Sequence, residues 1–106
     1  MRHYQEEVYD LVKSIPKGRV STYGAISNFL SLGSARMVGW ALNQLKGSHG
    51  IPAHRVVNSK GELSGSLYFG VDPGMKGLLE KEKIEIKDNK IVNFKEKFWD
   101  PSIEIQ

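Results

Sequence analysis

Apolar positions recur with helical spacing over the first half of the chain and alternate with polar ones towards its end. Val8, Leu11, Val12 and Ile15 stand at i, i+3, i+4 and i+7, which predicts an amphipathic helix over Tyr4 to Ser14. Pro16-Lys17-Gly18 stops it. A second helix is expected from Tyr23 to about Leu30, capped by Ser21 or Thr22, with Ala25, Ile26, Phe29 and Leu30 inward. Leu32-Gly33 makes a tight turn, and Ser34 caps a third helix through Leu45 whose inward stripe is Val38, Ala41, Leu42 and Leu45.

After a loop from Lys46 to Gly50 the pattern changes. In Ile51-Pro52-Ala53-His54-Arg55-Val56-Val57, Pro52 stiffens a turn that feeds a short buried strand. Asn58 to Gly61 reads as a turn, and Ser64 to Gly70, rich in Ser and Gly, as a flexible lid. Asp72-Pro73 opens a last helix with Met75, Leu78 and Leu79 inward and Glu82 near its end. Ile84-Glu85-Ile86 and Ile91-Val92-Asn93-Phe94 flank Lys87-Asp88-Asn89-Lys90, a hairpin pattern. Phe98-Trp99-Asp100-Pro101 closes the chain, whose end is expected to fray.

Helices two and three, joined by a short turn containing Gly33, form a helix-turn-helix pattern. Ala25, Ala35 and Gly39 let such helices approach closely. Gly39 also leaves a bare patch inside a helix at a cost of about 1 kcal/mol relative to Ala, a cost that close approach of another backbone or of DNA would explain. The expected fold class is α/β, mainly α: a winged-helix-like DNA-binding domain with a small C-terminal hairpin.

Composition narrows the function classes. With 106 residues the chain is expected to form one domain, residues 1–106, around one modest core. No run approaches the roughly 18 apolar residues of a membrane span, and the N-terminus lacks a signal-peptide core, so a cytoplasmic protein is expected. The absence of cysteine excludes disulfides and thiolate metal sites. His3, His49 and His54 lack the spacing of a metal cluster, and no metal or cofactor is assigned. Net charge is only +3, but from Leu11 to Gly61 there are seven Lys or Arg and no Asp or Glu. From Glu62 onward, nine acids outnumber seven bases. A uniformly positive half attracts a polyanion and favours nucleic acid as partner.

Pro52-Ala53-His54-Arg55-Val56 strongly resembles the Pro-Cys-His-Arg-Val signature of the O6-alkylguanine-DNA alkyltransferases, with alanine at the reactive cysteine. Ser21-Thr22-Tyr23-Gly24, Ala35-Arg36-Met37-Val38-Gly39, Leu78-Leu79 and Glu82 extend the resemblance, in order, over nearly the whole chain. The cysteine-bearing members carry a separate N-terminal domain that this stretch lacks. The pattern is that of the alkyltransferase-like branch, whose members bind alkylated guanine without repairing it. The resemblance implies a non-enzymatic protein that binds duplex DNA through the minor groove. It would flip O6-alkylguanine out of the stack and flag it for nucleotide excision repair proteins, as a monomer and away from membranes.

The same resemblance assigns roles. Arg36 would enter the gap and bond the orphaned base, and Tyr23 would crowd the phosphate and promote rotation. Thr22, Ser34, Ala35 and Gly39 would lie along the DNA, the helix starts suiting phosphates. Ala53, the backbone of Val56 and Val57, and Tyr23 would line the alkylguanine pocket; Trp40 is a further candidate for its wall. His54 and Glu82 match the pair that activates the cysteine, and without a thiol they and Arg55 are read as structural. The Ser64–Gly70 loop departs from the family pattern and has no arginine to sense the alkylated base. Two competitors remain: an active alkyltransferase whose cysteine was replaced by alanine, and a sequence-specific winged-helix regulator reading the major groove.

Overall fold

The computed structural model describes residues 3–45, 50–64 and 74–105. The expected lid and the Asp72-Pro73 cap lie largely or wholly outside them. Helix α1 (Tyr4–Lys13) precedes strand β1 (Ser21–Thr22), α2 (Tyr23–Phe29) and α3 (Ala35–Asn43). A 3-10 turn (Ala53–Arg55) leads into β2 (Val56–Val57), followed by α4 (Gly74–Lys81). Strands β3 (Ile86–Lys87) and β4 (Lys90–Ile91) and short helices α5 (Phe94–Lys97) and α6 (Pro101–Glu104) complete the order.

The organising feature is the parallel pairing of β1 with β2, Ser21 against Val56 and Thr22 against Val57. Side chains alternate across a strand, so the two valines serve different cores. Val56 joins Val8, Leu11, Val12, Ile15, Ile26, Val38, Ala41 and Trp99. Val57 joins Val20, Leu63, Met75, Leu79, Ile84 and Ile91. The motif loop is thus fixed at the seam between a helical half and a smaller mixed half.

Local chemistry explains the element ends. Thr22 Oγ1 accepts from Ala25 N at 3.0 Å and caps α2, which leaves Ser21 in the strand. Ser34 Oγ accepts from Arg36 N at 3.0 Å and caps α3. At the end of α2, Leu32 N donates to Ser27 O at 2.9 Å and Ser31 N to Asn28 O at 3.2 Å, a Schellman closure. Its left-handed residue is Ser31, φ 57°, so the turn pivots there and not at Leu32-Gly33. Helix α3 stops at Asn43, short of Leu45, and Leu42 and Leu45 are only half-buried.

Other expectations are corrected as well. Phe29 does not point inward; it is 36% exposed, on the wall of a groove of about 400 Å³ between α2 and the tail, with Gly24, Ala25, Ser59, Phe98 and Ser102. The hairpin turns on two residues, not four, because Asp88 (φ 52°) and Asn89 (φ 63°) both take the left-handed conformation that a tight hairpin turn demands. Phe94 consequently begins α5 and is not in a strand.

The chain end is not frayed through Ile105. Val20 N donates to Lys97 O at 2.9 Å and Trp99 N to Val20 O at 2.7 Å, while Trp99 is buried in the helical core. Arg19 clamps the same stretch through Nε to Lys97 O at 3.1 Å and Nη2 to Phe98 O at 2.6 Å. Asp100 then caps α6 through Ser102 N at 3.0 Å.

Gly61 provides a local test of the packing of the smaller half, on whose core Phe94 rests. Its φ is +79°, and a Cβ there would lie 3.0 Å from Cγ of Phe94. Gly61→Ala combines left-handed strain with a ring clash and is expected to cost about 2 kcal/mol, read as a lower urea midpoint. A loss well below this would mean that Phe94 moves aside and only the backbone strain remains.

Candidate nucleic-acid interface

Two sets of residues assemble from the predicted site, and they differ in how they are held. The first is rigid. His54 and Arg55 sit in the 3-10 turn whose shape follows from Pro52: Arg55 N donates to Pro52 O at 3.0 Å and Ala53 N to Ile51 O at 2.8 Å. His54 Nε2 lies 2.7 Å from Glu82 Oε2. Arg55 Nε reaches both Glu82 oxygens at 3.0 and 3.1 Å, Nη2 donates to Oε2 at 2.8 Å, and Nη1 donates to Ile15 O at 2.8 Å. Gly18 N donates to Glu82 Oε1 at 3.2 Å. One carboxylate therefore ties the motif loop to the end of α4 and to the turn after α1.

Electrostatics agree with the geometry. Burial pushes the Glu82 carboxyl up, but bonds from Arg55, His54 and Gly18 outweigh it and hold the group at about 2. The carboxylate stays ionised at neutral pH, and the loop beside it presents Ala53, whose methyl side chain has no atom to activate. The half-buried Ala53 stands at the start of the turn, while Val56 and Val57 bury their side chains in the two cores. Only their backbone could contribute to a pocket.

The second set is exposed. On α3, Arg36, Trp40 and Asn43 lie at i, i+4 and i+7 and face solvent, with Trp40 53% exposed. Val38 and Ala41 occupy the opposite face, fully buried, and Tyr9 Oη donates to Ala41 O at 2.6 Å, fixing α3 to α1. Arg19 and Arg55 spend their guanidinium groups on carbonyls and carboxylates. Among the described residues the Arg36 guanidinium makes no ion pair or hydrogen bond; only its backbone N–H is engaged, in the cap. Gly39 has no described atom within 4 Å of where a Cβ would stand, so nothing inside the described chain calls for its bareness.

Tyr23 begins α2, half-buried against the helical core. Ser34 and Ala35 are exposed at the start of α3, whereas the Thr22 hydroxyl is buried and occupied by its cap. Sequence reasoning missed the Gly18 bond to Glu82 and the Arg19 clamp. The left-handed φ of +86° at Gly18 had a signal in Pro16-Lys17-Gly18; the Arg19 clamp, spanning nearly eighty residues, had none.

Comparison with known proteins places this arrangement. Residues 3–84 match the family described as 6-O-methylguanine DNA methyltransferase, DNA binding domain. Alkyltransferase-like protein 1 of Schizosaccharomyces pombe is 37% identical over 106 residues, covering 95% of this chain and 98% of that protein. A DNA base-flipping protein of Vibrio parahaemolyticus is 35% identical over 103 residues, 95% of this chain and 100% of its own length. The crystal structure of S. pombe Atl1 in complex with damaged DNA containing O6-carboxymethylguanine superposes with a TM-score of 0.83 at 36% identity, over 95% of this chain and 100% of that one. By contrast, a methylated-DNA–protein-cysteine methyltransferase of Methanothermobacter thermautotrophicus is 37% identical over 84 residues, only 46% of its length. The chain belongs to the 6-O-methylguanine DNA methyltransferase DNA-binding-domain family and, within it, to the alkyltransferase-like proteins.

Proposed function

We propose that this protein recognises O6-alkylguanine in duplex DNA, extrudes the base, and holds it without accepting the alkyl group. The observation that carries the reading is the contrast between the two sets: the Arg36 side chain is exposed and, among the described residues, uncommitted on a capped helix, while His54, Arg55 and Glu82 are spent on one another beside Ala53. A guanine in a duplex hides its O6, so recognition requires removing the nucleotide from the stack at a cost of a few kcal/mol. Arg36 offsets that cost by filling the gap and bonding the base left behind. Gly39 and Ala35 let the helix backbone come close to the minor groove. Tyr23, at the head of α2, presses on the turned phosphate, and Ala53 with the Val56 and Val57 backbone underlies the extruded purine.

Alkyl transfer in this family needs a thiolate, and the chain contains no cysteine. The complex would therefore persist and mark the lesion for nucleotide excision repair, with the protein acting as a monomer wherever the chromosome is held. A gel-shift with two duplexes identical except for one O6-methylguanine, followed by intact-protein mass, tests this. Tighter binding of the damaged duplex, falling steeply as salt is raised, with no mass gain is expected. A gain of one methyl group, or equal affinity for both duplexes, would overturn it.

A further inference from the structure

We propose that Trp40 is a second, lesion-independent DNA contact, its indole packed on the sugar wall of the groove next to the Arg36 insertion point; this rests on the binding reading above. Of the two tryptophans, Trp99 is 6% exposed in the helical core and Trp40 is 53% exposed on α3. A Trp carries a large apolar surface and an N–H that seeks an acceptor. Among the described residues, the Trp40 N–H has no hydrogen-bond partner and the ring packs in neither core cluster.

Its placement selects the occupant. Trp40 follows Arg36 by one helical turn on the same face, roughly 6 Å along the axis, and adjoins Gly39, whose surroundings are open. A helix that delivers Arg36 to a duplex brings Trp40 against the neighbouring backbone in the same movement. The acid-free stretch Leu11–Gly61 carries both residues, so nothing there repels phosphate. Sugar C–H faces suit the ring, and a phosphate oxygen suits the indole N–H. Trp40 stands on the exposed face of α3, whereas the motif loop is tied to the end of α4 by Glu82.

The contact carries its own reporter. Titrating the intact protein with the O6-methylguanine duplex and with its undamaged twin, excited at the tryptophan band, should change the emission in both cases as each saturates. Trp40→Phe should abolish that change while binding persists, leaving the buried Trp99 signal constant. Trp40→Ala should weaken both duplexes by the same factor, about ten-fold, so that the preference for damage is retained. Unaltered emission at saturation would overturn the inference, as would loss of affinity confined to the damaged duplex, which would place Trp40 in the base pocket. Failure of the unaltered protein to bind either duplex would instead remove the binding reading on which the inference stands.

Discussion

Arg36→Ala is expected to weaken binding to an O6-methylguanine duplex by about 1–3 kcal/mol while leaving the unfolding midpoint unchanged. The two halves of that expectation come from one observation: the guanidinium is exposed and, among the described residues, supports nothing in the fold. Among the described residues its links to the fold are through the backbone, including the N–H bonded to Ser34 Oγ at 3.0 Å, which alanine keeps. Arg36→Lys separates charge from shape. A lysine restores phosphate attraction but cannot stack or offer a planar fork, so it should recover only a small part of the loss. Full recovery by lysine would make Arg36 a simple phosphate contact. Equal affinity of alanine variant and parent would remove it from recognition.

Removing the Glu82 carboxylate should have the largest effect on stability. Side chains of His54, Glu82 and Arg55 are 13%, 7% and 16% exposed, and Glu82→Ala strands an arginine in that shielded place. Breaking a buried pair by deleting one partner costs about 3–5 kcal/mol. Proton linkage gives the same site a pH signature. The folded carboxyl titrates at about 2 against a usual 4.5, a difference worth about 3 kcal/mol. Because the folded value is the lower one, that stability is fully present above the unfolded value and is lost as pH falls from about 4.5 through about 2. The urea midpoint of the parent should drop across this window, and that of Glu82→Gln should drop less. Parallel curves would mean that the carboxylate does not hold the loop.

The two effects are expected to fall on different properties because Arg36 lies outside the hydrogen-bonded cluster of His54, Arg55 and Glu82. In a cysteine-bearing relative, the resemblance implies, the histidine–glutamate pair serves a nucleophile. On the reading proposed above the same pair serves only the loop, and Arg55 joins it through a four-bond fork to Glu82 and Ile15. Recognition can survive such a change, since Arg36 and the capped helices that present it lie outside the clamp.

Much of this was legible in the residues themselves. The i, i+3, i+4, i+7 stripe of α1 predicted four residues that are all buried, and Thr22 and Ser34 cap the helices they precede. The Pro52–Val57 motif predicted both the stiff turn and the buried strand. What escaped were features set by distant partners. Phe29 satisfies the helical period of α2, yet it lies beside a groove that only the docked tail creates. The order of the tail escapes a local reading because nothing near it in sequence shows that Arg19 bonds the carbonyls of Lys97 and Phe98. The hairpin erred differently: Asp88-Asn89 tolerates left-handed backbone at both positions, a local signal outweighed by the apparent length of the polar run. For Trp40 the period of α3 gives the exposed face it shares with Arg36, opposite Val38 and Ala41, but not what that face meets.

The most direct measurement places a fluorescent cytosine analogue opposite a single O6-methylguanine and follows its emission as protein is added. Extrusion of the lesion unstacks the analogue, so emission should rise to a plateau at one protein per duplex. It should return to its starting value when unlabelled damaged duplex is added in excess, because the base is released unaltered. Binding without that rise, or a rise that decays before competitor is added and that fresh protein cannot renew because the methyl group has left the DNA, would contradict the account.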